Sequence, residues 1–192
     1  SLPMAEREPV LILDSIVDPH NVGAIARAAG YFGAKALILP KDRAAGITDT
    51  VMRVSAGATS YLAIVQVANL VAAIERLKTS GLWVMGLELQ TEQSIFEVDL
   101  SVPTALVIGN EQRGMRHLVR QHCDILMKIP GSGPIASLNA ASAATKDHVR
   151  KTAVLGVTGV KRKLADLLTS LTGQPLKYFD DIESAKNWLT ED

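Results

Sequence analysis

Five short runs of mainly Val, Ile, Leu and Ala constrain what this chain can fold into more than any other feature of its sequence. Each run is four to six residues long and is closed by a polar residue, a glycine or a proline, as buried strands are. Strands that are apolar on both faces are typical of parallel sheets whose two faces are covered by helices. The runs are residues 10–13, 36–39, 82–87, 104–108 and 125–129.

Segments with helical spacing lie between these runs, over residues 23–32, 70–80 and 115–122. In the second segment four apolar residues recur on one face, and Gly81 follows as a left-handed cap. Those four residues are Leu70, Ala73, Ile74 and Leu77. Alternating strands and helices predict an α/β fold, with a parallel sheet and helices on both faces.

The C-terminal part is predicted to be a βαβα unit that extends the same sheet. Its strands are expected at 153–157 and 176–179, with a helix at 160–171 and a last helix capped by Asp181. We therefore expect three parts. Residues 1–8 are disordered or extraneous, residues 9–145 form the main domain, and residues 146–192 form the appended unit packed on it.

Composition excludes several classes of protein. Twenty Lys and Arg balance twenty Asp and Glu, so binding of DNA or RNA through a large cationic surface is not expected. A single cysteine, Cys123, excludes a disulfide framework and a cysteine-built zinc site, and the four histidines have no metal-ligand spacing. No apolar run approaches the roughly 18 residues of a membrane span, and no secretion signal is visible. We expect a cytoplasmic protein with neither metal nor membrane.

Three loops rich in polar residues and glycine follow predicted strands, at the edge where parallel α/β sheets bind ligands. In the first, over residues 14–28, Asp18 or Asn21 could cap the following helix. Arg27 lies in a helix of small residues, where we expect it to point into a cleft or an interface. A guanidinium there could bind phosphate through two parallel hydrogen bonds.

The second loop, over residues 105–115, is a Gly-Asn-Glu turn in which Glu111 lies near the positive end of a helix. A plain turn with a capping acid is an equal alternative for it. In the third loop, residues 129–139, Ser137 could cap a helix, and Ile129 and Leu138 could sandwich a flat ring. Fingerprints of the dinucleotide site, the phosphate loop and the serine hydrolases are absent from the sequence.

In this order and spacing, the three loops resemble the three motifs of the SpoU branch of the SPOUT RNA methyltransferases. The match covers roughly residues 9–142 and is close to the bacterial enzymes that methylate a guanosine 2′-hydroxyl in large-subunit ribosomal RNA. The matching residues are Asp18-Pro19-His20-Asn21-Val22-Gly23 with Arg27, Gly109-Asn110-Glu111 with Gly114, and Ile129-Pro130 with Ser137-Leu138-Asn139.

The resemblance implies a ribose 2′-O-methyltransferase domain that acts on rRNA-type RNA and uses S-adenosylmethionine. It implies a trefoil knot formed by the second and third motifs, and a homodimer whose active site uses both subunits. The implied catalytic residues are Arg27, which activates the 2′-hydroxyl or holds the adjacent phosphate, and Asn21, Glu111 and Asn139, which position the nucleotide and the arginine. The implied cofactor contacts are Leu87, Ile108, Gly109, Ile129, Ser137 and Leu138.

The end of the chain departs from the family pattern, because the helix after Ser-Leu-Asn turns polar at residues 145–151. The segment 146–192 resembles half of a STAS-like domain. Three hypotheses therefore stand: an RNA methyltransferase domain, a non-catalytic recombined chain that can still bind the cofactor, and a regulatory binding module led by the STAS-like tail.

Overall fold

The computed structural model describes residues 8–129, 152–155, 176–179 and 181–190. The chain divides into two compact units, Ser1–Pro130 and Gly131–Asp192, which we describe separately. Three predicted site residues, Ser137, Leu138 and Asn139, lie outside the described residues, as does the helix predicted over 160–171.

The first unit is built on one six-stranded sheet in which every neighbouring pair of strands is parallel, in the order β3-β2-β1-β5-β4-β6. The strands are β1 Val10–Leu13, β2 Ala36–Pro40, β3 Ala63–Val67, β4 Trp83–Leu87, β5 Thr104–Ile108 and β6 Ile125–Met127. The helices are α1 Pro19–Tyr31, α2 Asp49–Val54, α3 Leu70–Thr79 and α4 His117–Gln121, with a short 3₁₀ turn at Ala58–Ser60. The predicted parallel α/β sheet is confirmed.

The core lies along the central strands, as expected for a sheet covered on both faces. All four residues of β1 are buried, and Leu70 and Ile74 of α3 pack into the same apolar cluster. Leu77 packs against that cluster while partly exposed, and Gly81 has the left-handed φ of 87° predicted for the residue after the helix. The amphipathic face predicted for α3 is therefore the face that the helix buries.

Three elements were not predicted from the sequence: the strand β3, the short helix α2 and the 3₁₀ turn. Residues 62–65 are apolar like the five predicted strands, but β3 is an edge strand that pairs only with β2, and three of its five residues are exposed. α2 begins after Thr48, whose hydroxyl accepts a hydrogen bond from the Val51 backbone amide. It packs closely on α1, since a Cβ added at Gly23 would lie 2.7 Å from the Cβ of Val54.

The first helix begins earlier than its apolar pattern predicted, at Pro19 instead of Gly23. Asp18 is its cap: the carboxylate accepts a hydrogen bond of 2.8 Å from the His20 backbone amide. Proline at the first helical position has no amide hydrogen to leave unsatisfied. Of the two predicted caps Asp18 is therefore the correct one, and the Asn21 side chain remains available for other contacts.

In the part of the second unit that the structure describes, two short parallel strands pair with each other and one helix follows them. These are β7 Thr152–Leu155, β8 Leu176–Phe179 and α5 Ile182–Thr190. Asp181 caps α5 as predicted, and hydrogen bonds from Ser184 lower the pKa of its carboxyl. The domain boundary at residue 145 and the packing of this unit on the larger sheet stay predictions.

Candidate active site at the carboxyl ends of the strands

The carboxyl ends of β1 and β5 lie side by side in the middle of the sheet. Leu13 pairs with Ile108, and the Asp14 backbone amide donates to the Ile108 carbonyl at 2.8 Å. From β1 the chain moves outward to β2 and β3, and it returns to pair with the other side of β1 at β5. Parallel sheets bind ligands at such a reversal of strand order, so the loops after these two strands are the candidate site.

Two of the predicted catalytic residues meet at this point. The side-chain amide of Asn21, in the first turn of α1, donates a hydrogen bond to a carboxylate oxygen of Glu111 in the loop after β5. The two residues are 90 positions apart in the sequence, and both are half-buried. The first and second motifs are thus joined in the fold, while the catalytic role of either residue stays a prediction.

The loop that carries Glu111 is shaped by its own backbone. Asn110 and Gly114 exchange backbone hydrogen bonds of 3.0 and 2.8 Å, and the side-chain carbonyl of Asn110 accepts from the amides of Gln112 and Arg113. Gly114 has a left-handed φ of 68°. These bonds close the turn tightly and fix the backbone that carries Glu111.

A glycine is required at the start of this loop. A Cβ added at Gly109 would lie 2.5 Å from the Gly114 carbonyl carbon and would also collide with the Met115 backbone amide. Both of these are main-chain atoms, so no side-chain movement can relieve the collision. The loop therefore folds back over Gly109, which explains the glycine without invoking a ligand.

A buried acid lies directly after β1. Asp14 is fully buried and accepts hydrogen bonds from both the side chain and the backbone amide of Arg116, at 2.6 and 2.7 Å. The Ser15 hydroxyl donates to the same carboxylate at 3.2 Å. A buried carboxylate is stable only with such partners. No role was predicted for Asp14 or Arg116 from the sequence. The signal that could have indicated a buried acid here is the position of Asp14 immediately after an apolar strand.

Arg27 lies on the exposed face of α1, together with His20, Ala24 and Tyr31 at helical spacing. Among the residues that the structure describes, none forms a hydrogen bond or ion pair with its side chain. The described residues therefore do not enclose Arg27 in a cleft. Its position at an interface stays a prediction, and no described contact links it to Asn21 or Glu111.

Four of the predicted cofactor contacts lie together at the carboxyl ends of three neighbouring strands. Leu87 ends β4, Ile108 ends β5 and is followed by Gly109, and Ile129 lies two residues after β6. All four are half-buried, whereas Met127, which pairs with Leu87, is fully buried. Partly exposed apolar side chains on adjacent strand ends fit a flat apolar ring such as adenine.

Cys123 forms no described contact with the residues of this site. Burial raises the pKa of the Cys123 thiol to about 12, and the sulfur donates to the Val119 carbonyl. Within the described ranges, no three His, Cys, Asp or Glu side chains are grouped so as to hold a metal ion. Nor is any helix described there long and apolar enough to cross a membrane.

Comparison with known proteins identifies the class of protein. The sequence model of the SpoU rRNA Methylase family matches residues 8–145, and the chain belongs to that family. The resemblance read from the three motifs is thereby confirmed.

Two curated relatives show how similar this chain is to individual proteins of known sequence. The chain is 44% identical over 134 residues to the 23S rRNA (guanosine-2′-O-)-methyltransferase RlmB of Pseudomonas putida, covering 70% of this chain and 54% of that protein. It is 49% identical over 137 residues to the "Uncharacterized tRNA/rRNA methyltransferase slr0955" of Synechocystis, covering 71% and 36%. The chain thus spans about half the length, or less, of the curated relatives it matches.

Solved structures agree on the fold. The SpoU methyltransferase AviRb from Streptomyces viridochromogenes is similar with a TM-score of 0.67 and 27% identity, over 90% of this chain and 63% of that chain. AviRb in complex with the cofactor AdoMet is similar with a TM-score of 0.64 at 24% identity, over 90% and 60%.

Proposed function

We propose that this chain is an S-adenosylmethionine-dependent ribose 2′-O-methyltransferase domain that acts on ribosomal RNA. One observation carries the proposal: Asn21 of the first motif donates to Glu111 of the second at the reversal point of the sheet. Membership of the SpoU family and similarity to RlmB of Pseudomonas putida support the reaction and the substrate class. We also propose that it acts in the cytoplasm.

The cofactor site we propose is the row of half-buried strand ends. Leu87, Ile108 and Ile129 offer apolar contacts for the adenine ring, and Gly109 leaves backbone groups beside them. Ser137 and Leu138 complete the site by family resemblance. When bound, the cofactor supplies a methyl group on a positively charged sulfur. AviRb, which shares this fold, has been solved with AdoMet.

The chain's own residues have to orient the ribose and help its hydroxyl to lose a proton. Methyl transfer to a weakly acidic hydroxyl gains mainly from positioning and from proton removal. Glu111 fixes the Asn21 amide, whose remaining hydrogen can be donated to the nucleotide. Arg27 carries a permanent positive charge that binds the adjacent phosphate or stabilises the oxygen as its proton leaves. Asn139 shares this positioning role by family resemblance.

We propose a homodimer in which the exposed α1 face takes part in the shared active site. Arg27, His20, Ala24 and Tyr31 all point away from their own sheet, and Tyr31 is 83% exposed. A catalytic arginine on such a face needs a partner surface to be enclosed. This proposal agrees with the two-subunit site that the family resemblance implies.

Titration with S-adenosylhomocysteine, followed by methyl-transfer assays, tests the proposal. We expect saturable one-site binding, and we expect Arg27→Ala to lower methyl transfer to an rRNA fragment about a hundredfold while that binding is kept. Arg76→Ala is the matched control, because Arg76 is an exposed helical arginine on α3. Retained transfer in Arg27→Ala would remove Arg27 from the mechanism.

The runner-up hypothesis, a non-catalytic recombined chain with a STAS-like tail, receives no support from the comparisons. It makes a distinct prediction in the same experiment. A cooperatively folded protein that transfers no methyl group, whether or not it binds S-adenosylhomocysteine, would favour it.

A further inference from the structure

The loop after β5 is held at both of its ends by two consecutive residues that come directly after β1. At its beginning, the Asn110 side-chain amide donates to the Ser15 carbonyl at 3.1 Å. At its end, Arg116 donates twice to the Asp14 carboxylate. These four residues, Asp14, Ser15, Asn110 and Arg116, form what we call the Asp14 clamp.

The clamp is built from bonds that are strong in this environment. Asp14 is fully buried, so its charge is poorly solvated and depends on the Arg116 guanidinium and backbone amide. Ser15 has a left-handed φ of 63°, which residues other than glycine rarely adopt and which surrounding contacts must hold. The backbone is therefore kept in an unusual conformation at the point where the clamp grips the loop.

The clamp surrounds the residue that meets Asn21. Glu111 lies between the two anchored ends, and its bond to Asn21 joins the loop to α1. We infer that Asp14 and Arg116 are positioning residues, which hold the loop 109–116 against β1 so that Glu111 meets Asn21. Only the expected effect on catalysis rests on the proposed methyltransferase function.

The chain contains a matched control pair at the opposite end of the sheet. Asp124 precedes β6 and accepts from the Val84 backbone amide at 2.8 Å and from the Lys78 side chain at 2.7 Å. As at Asp14, one carboxylate thus binds one backbone amide and one cationic side chain. Lys78 also donates to the His122 carbonyl at the end of α4, but no hydrogen bond or ion pair described for this pair reaches residues 109–116. Its loss therefore reports destabilisation that does not pass through the Asp14 clamp.

The test compares Arg116→Ala and Asp14→Asn with Lys78→Ala and Asp124→Asn in the full chain. We expect the first two to raise hydrogen exchange at the amides of Asn110 and Gly114 about tenfold, and to shift the Asn21 side-chain amide signals in NMR spectra. The control variants should change neither. Unaltered Asn21 signals and loop exchange in folded Arg116→Ala would overturn the inference, as would the same loop changes in Lys78→Ala.

A double variant tests whether Asp14 and Arg116 act by holding the loop in place or through their charges. In Asp14→Asn with Arg116→Gln, the Asn amide can donate to the Gln carbonyl while the Asn oxygen still accepts the backbone amide of residue 116. We expect this double variant to restore the Asn21 signals at least partly, and no restoration would contradict a positioning role.

Arg116→Ala should also lower kcat about tenfold with KM for RNA within about twofold. If the parent chain transfers no methyl group, the proposed function fails, while the exchange and NMR measurements still decide this inference.

Discussion

Gly109 shows how a residue that looks like a ligand contact can first be a packing requirement. Glycine beside a strand end suggests close approach of a ligand, and the family resemblance assigns it to the cofactor. The structure adds that the main chain of residues 114 and 115 occupies the space where a side chain would lie. Packing of the loop and contact with the cofactor both require glycine at position 109, so a substitution there affects folding before it affects binding.

Gly109→Ala should destabilise the fold by about 1–3 kcal/mol, because the added methyl collides with main-chain atoms that cannot move aside. The free energy of unfolding in urea measures this effect. Gly46→Ala is the control, since its nearest other atom lies at 3.9 Å, and it should stay within about 0.5 kcal/mol of the parent. Equal stability of the two variants would mean that the loop is not packed over Gly109.

Cys123 should react slowly with thiol reagents. Its pKa is raised to about 12 from 9.0, chiefly by burial, so the thiolate population near pH 8 falls about a thousandfold. Labelling rates in buffer and in denaturant measure the difference. A native protein that reacts as fast as the unfolded chain would show that the thiol is not held in this buried state.

At the scale of elements, strands were easier to predict than the contacts between the loops that follow them. The five apolar runs all became strands, because burial on both faces leaves a continuous signature in the sequence. β3 was not predicted, although residues 62–65 form an apolar run as long as two of those five. The bonds from Asp14 to Arg116 span 102 positions and depend on β5 returning beside β1, which no local pattern encodes.

The link between α3 and β6 should depend on pH in the alkaline range. The pKa of Lys78 is raised above 10.5, mainly by its hydrogen bond to Asp124, so the folded state holds this proton more tightly than the unfolded state. Its stabilising contribution is complete below pH 10.5 and is lost as the pH rises through the raised pKa. Unfolding free energies of the parent and Lys78→Met should therefore converge above pH 10.5. A constant difference from about pH 9 to about pH 12 would contradict the assignment.

At the scale of the whole molecule, the motifs of three loops were enough to predict the family, and the apolar runs were enough to predict its sheet. They do not determine whether the chain is knotted, where the domain ends or how many subunits assemble. The third motif and the knot it would form include residues outside the described ranges, and a division near residue 145 stays a prediction. The number of subunits also stays a prediction, because no local pattern encodes whether the exposed face of α1 meets another copy.

The proposed dimer should dissociate when a charge is placed on the exposed face of α1. Ala24 lies on that face between His20 and Arg27, and Ala24→Glu would bury a carboxylate in the interface. Sedimentation should show the parent at twice the mass of one chain and the variant at the mass of one chain. Ala72→Glu, at an exposed alanine of α3, should remain dimeric. A monomeric parent would refute the shared active site.

The most direct measurement of the central claim is transfer of a labelled methyl group from S-adenosylmethionine to large-subunit ribosomal RNA. The RNA is digested to nucleosides after reaction with the parent chain. The account predicts labelled 2′-O-methyl nucleosides, which should be lost when Arg27→Ala replaces the parent. Unlabelled RNA after reaction with a cooperatively folded parent, or label on a base instead of a ribose, would contradict it.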